Sequence, residues 1–119
     1  MDPYRQKILD HYRRPRNFGR LSGATHRAAL SNPLCGDEVT IAVRVERGKI
    51  AAVRFTGRGC AISTAATSLL TEAVAGQQVA RVRRLLPADV FRWIGAPIGP
   101  ARHKCALLGY DALRQALGR

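Results

Sequence analysis

Three cysteines and one aspartate carry the chemistry that this sequence offers: Cys35, Asp37, Cys60 and Cys105. Thiolates and a carboxylate suit a tetrahedral zinc site or the irons of an iron–sulfur cluster. Asp37 follows Cys35 across Gly36, so both side chains can reach one ion. Cys60 stands in Thr56-Gly57-Arg58-Gly59-Cys60-Ala61-Ile62-Ser63, between an apolar strand-like run and a long Ala/Ser/Thr/Leu segment that reads as a helix. The two glycines permit a sharp turn and a close backbone approach, and the unpaired N–H groups of the helix start favour a thiolate. No two cysteines form a C-x-x-C pair, so spacing leaves open a second reading in which Cys60 and Cys105 are small buried hydrophobic residues. His103, close to Cys105, is a possible reserve ligand, whereas a lone histidine in a basic loop is more often solvated. Arg102 and Lys104 are either surface bases or a source of positive charge that stabilises the thiolates. The series Ser63, Thr64, Thr67, Ser68 and Thr71 reads as helix packing and capping, not as nucleophiles.

The elements that must position these residues follow from periodicity. Asp2-Pro3 reads as an N-cap and first helical residue, after which Tyr4, Ile8, Leu9 and Tyr12 share a face until Pro15 stops the helix. His26 to Leu30 is a candidate edge strand. Asn32-Pro33-Leu34-Cys35-Gly36-Asp37 is a tight loop. Beyond it Val39, Ile41, Val43 and Val45 alternate with Glu38, Thr40, Ala42, Arg44 and Glu46, the pattern of a half-buried strand. Arg47-Gly48-Lys49 turns the chain and Ile50 to Phe55 returns as the antiparallel partner. That hairpin sets Cys35, before one strand, beside Cys60, after the next. Helices are expected over Ala61–Ala75 (apolar face Ile62, Ala66, Leu69, Leu70, Ala73 and Val74, with Gly76 as C′) and over Val79–Leu86, broken by Pro87. Asp89–Ile94 gives a further turn, and a last helix starts near Pro100 with Cys105 in its first turn and Leu107, Leu108, Ala112, Leu113 and Leu117 as its stripe. Strands first and helices after them give an α+β fold, a small antiparallel sheet of about three strands packed by helices.

The 119 residues suit one domain spanning 1–119, with 46% hydrophobic and 24% charged residues as in an ordinary globular chain. No apolar run has the length of a membrane span, no signal peptide opens the chain, and an odd cysteine count fits a reducing compartment, so a cytoplasmic location is expected. The net charge of +12, from 20 Lys+Arg against 8 Asp+Glu, makes nucleic acid a suspect partner. The basic residues are scattered, however, and no aromatic–basic interleaving accompanies them. A basic zinc module that binds nucleic acid therefore ranks last among the functional readings, and an acidic protein partner explains the charge at least as well.

Four stretches, in this order, carry a family resemblance: Ile8-Leu9-Asp10-His11-Tyr12 with Pro15-Arg16-Asn17, then Asn32 to Asp37, then Gly57 to Ser63, then Arg102-His103-Lys104-Cys105-Ala106-Leu107-Leu108. Together they resemble the U-type iron–sulfur cluster assembly proteins: IscU, SufU and the N-terminal part of NifU. The resemblance implies that Cys35, Asp37, Cys60 and Cys105 are the ligands. It implies sulfur delivery by a cysteine desulfurase, with Cys35 the first acceptor and Cys105 the second candidate. A transient 2Fe–2S or 4Fe–4S cluster would be built and passed to recipient apo-proteins, with zinc held in the cluster-free form. On this reading the protein is a non-enzymatic scaffold; the alternative is a SufU-like zinc-dependent sulfurtransferase. Branch features are mixed. Arg-x-Lys-Cys-Ala at 102–106 is SufU-like, the short Cys60–Cys105 segment is IscU-like, and Gly99-Pro100-Ala101-Arg102-His103 replaces the Leu-Pro-Pro-Val-Lys stretch of IscU.

Overall fold

A computed structural model describes residues 3–118, apart from the side chain of Tyr4. Helix α1 (Pro3–Arg13) leads into strands β1 (His26–Asn32), β2 (Asp37–Glu46) and β3 (Lys49–Arg58). Helices α2 (Ala61–Val74), α3 (Val79–Val82), α4 (Pro87–Ile94) and α5 (His103–Ala116) follow, the last behind a 3-10 turn at Pro100–Arg102. The strands form one antiparallel sheet in the order β1-β2-β3. This is the α+β arrangement expected. Strand β1 is two residues longer than the candidate edge strand, and β3 continues beyond Phe55 to Arg58.

Alternation on β2 is observed: Val39, Ile41 and Val43 are buried under the helices. Its partner begins after a two-residue turn in which both Arg47 (φ 54°) and Gly48 (φ 76°) are left-handed. That geometry matches the twist of a hairpin, and Arg47 accepts it at the cost an L-residue incurs there. Gly57 is the second position where backbone geometry decides. It lies within β3 rather than in a turn, opposite Val39, and a Cβ on it would stand 2.2 Å from the Glu38 carbonyl oxygen. The glycine pair before Cys60 thus serves close approach, not reversal.

Helix α2 is the hub. Nine of its fourteen residues are buried, including Ser63, Thr67, Ser68 and Thr71, so its environment is broader than a single apolar face. Bare backbone at Gly109 of α5 lets that helix approach Thr67, where a Cβ would fall 2.4 Å from Oγ1. On its other side α2 receives the N-terminal arm. Ser68 Oγ accepts from the Arg16 N–H at 2.8 Å and pairs with His11 Nδ1 at 2.7 Å, and the Asn17 amide donates to Thr71 Oγ1. The polar row on α2 therefore packs, as expected, and also latches the arm.

Three expectations need correction. The buried face of α1 is Ile8 with His11 (6% exposed), a residue left out of the expected face, whereas Tyr12 is 44% exposed. Helix α3 is a single turn. Pro87, expected to break a helix, starts α4, where the missing proline N–H loses nothing and the Asp89 carboxylate accepts from Leu86 N–H at 2.8 Å. The proposed N-cap at Asp2 and the packing of Tyr4 lie outside the described residues. No helix among the described residues is long and apolar enough to cross a membrane.

Burial, and then the Arg16 charge, lower the pKa of His11 against the weaker upward pull of Glu72 and Asp10. Folded protein therefore resists a proton that the unfolded chain takes up near pH 6.5. The sign follows: the stabilising contribution is complete above that pH and is lost as pH falls from there through the depressed folded value. Thermal midpoints measured between neutral pH and pH 5 should fall, and the fall should be smaller in His11→Gln. Parallel curves for the two proteins would contradict this account.

Candidate metal centre

The inward row of β2, Val43, Ile41 and Val39, continues backwards to Asp37, so a carboxylate occupies the last buried place at the end of the sheet. Asp37 is 2% exposed. Its cost of burial is offset by the backbone N–H of Cys60, which donates to Oδ1 at 3.0 Å, and by the Cys60 thiol at 3.9 Å from Oδ2. Gly59 makes room for this: a Cβ there would stand 3.0 Å from Asp37 Oδ1 and from Ser63 Oγ.

Cys60 is the N-cap of α2, and its sulfur accepts the Ser63 N–H at 3.4 Å. The expectation that this thiol sits at a helix start is met. Cys105 lies in the first turn of α5, buried, and donates to Cys35 Sγ at 3.2 Å. Cys35 itself is exposed on the β1–β2 loop. One donor from each of Cys35, Asp37 and Cys105 lies within 4.8 Å of the other two, and Cys60 joins this group through its contact with Asp37. Three thiols and a carboxylate from a loop, a strand end and two helix starts therefore meet. Soft sulfur with one hard oxygen fits zinc and iron–sulfur chemistry.

Burial pushes the Cys105 thiol up, with the Cys35 and Asp37 hydrogen bonds and the charge on Cys60 acting in the same direction. The flanking bases do not reverse this, so of the two readings of Arg102 and Lys104 the one that makes them exposed surface bases is favoured. A bound cation must therefore displace that proton, so loading releases protons. His103 is not among the converging donors. Its Nε2 pairs with the Ile98 carbonyl at 3.0 Å and its ring lies 4.9 Å from Phe91.

Asn32 was missed as a site residue. Its Oδ1 accepts from Leu34 N–H, its carbonyl accepts from Cys35 and Gly36 N–H, and its amide donates to Cys35 Sγ at 3.5 Å. An asparagine opening a tight loop before a cysteine was the available signal, since such side chains fold back on the following backbone.

An α+β domain that gathers three thiols and a carboxylate at one end of its sheet is the class defined here. The chain matches the NifU-like N terminal domain over residues 3–119 and belongs to that family. It is 33% identical to the iron-sulfur cluster assembly scaffold protein IscU of Streptococcus pyogenes, over 98% of this chain and 83% of that protein. It is 29% identical to the zinc-dependent sulfurtransferase SufU of Bacillus subtilis, over 98% of this chain and 90% of that protein. The fold is shared with the N-terminal part of a nitrogen-fixing NifU-like protein from Brucella abortus, with a TM-score of 0.80 at 23% identity, covering 97% of this chain and 92% of that one.

Proposed function

We propose that this protein is an iron–sulfur cluster assembly scaffold. It accepts sulfur from a cysteine desulfurase, builds a labile cluster on Cys35, Asp37, Cys60 and Cys105, and passes it to apo-proteins. The observation that carries this reading is the convergence of two thiols and one buried carboxylate behind an exposed rim cysteine, Cys35. A closed structural site would hide every ligand; here one thiol remains where a partner can reach it.

Cys35 is the first sulfur acceptor on this reading. Its thiolate attacks the terminal sulfur of the desulfurase persulfide; a new S–S bond forms at Cys35, the old one breaks, and the desulfurase cysteine leaves as a thiolate. No net electron is exchanged in that step. Conversion of the transferred sulfur to sulfide takes two electrons from a separate electron donor. Cys105, in hydrogen-bond contact with Cys35, is the second acceptor.

A zinc-dependent sulfur shuttle is the second reading. The close grouping of Cys35, Asp37 and Cys105 supports it, because donors within 4.8 Å already suit a single ion. Anaerobic reconstitution with ferrous iron and sulfide, then desalting, separates the two. A retained brown chromophore that is lost in Cys60→Ser is the scaffold result. Colourless protein holding about one zinc, with a persulfide on Cys35 after reaction with a desulfurase, is the shuttle result.

A further inference from the structure

The outward face of the sheet carries a groove of about 630 Å³, separate from the thiol end. Register places Arg27 of β1, Ala42 of β2 and Arg54 of β3 in one row across the strands, with Thr40 and Thr56 paired in the next. Ala42 faces outward yet is only 7% exposed. It lies between the two arginines in the register, and the Arg54 guanidinium reaches towards Gly19 at the groove edge. From Gly19, bonded to the Phe55 carbonyl at one sheet edge, the chain passes to Thr25, bonded to the Val43 carbonyl on the central strand. On the way it contributes Arg20 to the groove wall.

Arg20, Arg27 and Arg54 have no carboxylate partner among the described residues, whereas the nearby Arg44 and Arg58 are paired with Glu46 and Glu38. No acidic side chain among the described residues lines this groove. Unneutralised guanidinium groups around a common depression raise the local potential and attract anionic groups. A second depression of about 420 Å³ shares Thr40 and Thr56 and runs on past Gly57 towards the thiol end; Glu38, paired with Arg58, lines that end, so the unneutralised positive charge belongs to the arginine row. Arginines rooted two strand spacings apart, about 10 Å, match carboxylates spread along a chain better than one small anion. No aromatic ring among the described residues lines the trough, so they offer no platform there for stacking bases.

We propose that this trough docks an extended acidic segment of a protein partner. Arg20, Arg27 and Arg54 bind its carboxylates, and Thr40 and Thr56 form the floor. The row lies about 17 Å along β2 from Asp37, so a docked partner leaves the thiol end open. This inference is independent of which metal or cluster that end holds.

The test is fluorescence anisotropy of a labelled deca-glutamate peptide at low ionic strength, with labelled oligo-dT of equal length as comparison. Arg27→Ala/Arg54→Ala is expected to weaken peptide binding by about tenfold or more. Arg81→Ala/Arg84→Ala, which removes the same charge from an exposed site elsewhere, should change it by less than about twofold. Unchanged zinc loading in the groove variant confirms that the fold and the thiol end are intact. Equal losses in the two variants, no peptide binding by the parent protein, or tighter oligo-dT binding through the same arginines would each overturn the proposal.

Discussion

Asp37→Asn is expected to release a reconstituted cluster sooner than the parent protein, and Asp37→Cys to hold it longer. Transfer to an apo-ferredoxin from Asp37→Cys should slow by about tenfold, a barrier increase of about 1.4 kcal/mol. The proposed ligand set contains one hard oxygen among soft sulfurs, and the carboxylate is the weaker partner for an iron–sulfide core. It is therefore the first bond to open. Two substitutions are needed because Asp37 also accepts the Cys60 N–H. Cysteine replaces that acceptor with a weaker one, a loss of up to about 1–3 kcal/mol. Asparagine retains a carbonyl acceptor there while offering iron a poorer ligand, so its fold should be less affected. Equal transfer rates for all three proteins would rule out the aspartate as the release point.

Gly57→Ala should destabilise the fold by about 3 kcal/mol or more, read from urea unfolding. The new methyl group would meet the Glu38 carbonyl oxygen at 2.2 Å and the Val39 Cα at 2.9 Å, at a φ of 138°. These neighbours are backbone, so relief requires β3 to move away from β2. Such a movement separates Asp37 from Cys60, and metal loading should fall with stability. Gly36→Ala is the control. Its φ is also positive, at 71°, but nothing lies within 4 Å of the added atom. A loss of only about 1 kcal/mol is expected there. Similar losses at both positions would show that backbone conformation, not contact with β2, dominates.

The contrast between these glycines also marks where sequence reading reached its limit. Alternation from Val39 to Val43 located β2 because the side-chain period is a property of the strand itself. The hairpin followed from it, and with the hairpin came the meeting of Cys35 and Cys60. Cys105 could be brought to them only by family resemblance, because the approach of α5 depends on packing at Gly109 against Thr67, a contact with no local signature. Two glycines before Cys60 allowed a sharp turn or a close approach; that the close approach is their role is set by the neighbouring strand and by the Asp37 carboxylate, which lie elsewhere in the chain. His11 was left off the buried face of α1 for a related reason. A polar side chain falls outside an apolar count, whereas its partner Ser68 sits on a distant helix. The trough arginines are scattered in sequence and become a group only through strand register.

The donor positions on the β1–β2 loop and at the starts of α2 and α5 have a mechanical meaning. An ion or cluster shared among residues 35, 37, 60 and 105 is a removable cross-link across most of the chain. It restricts the unfolded ensemble as a covalent bridge would, and the free energy of loading is also stabilisation of the folded state. Cargo and scaffold therefore hold each other: a recipient that extracts the cluster leaves behind a chain with one fewer tie between its sheet and its helices.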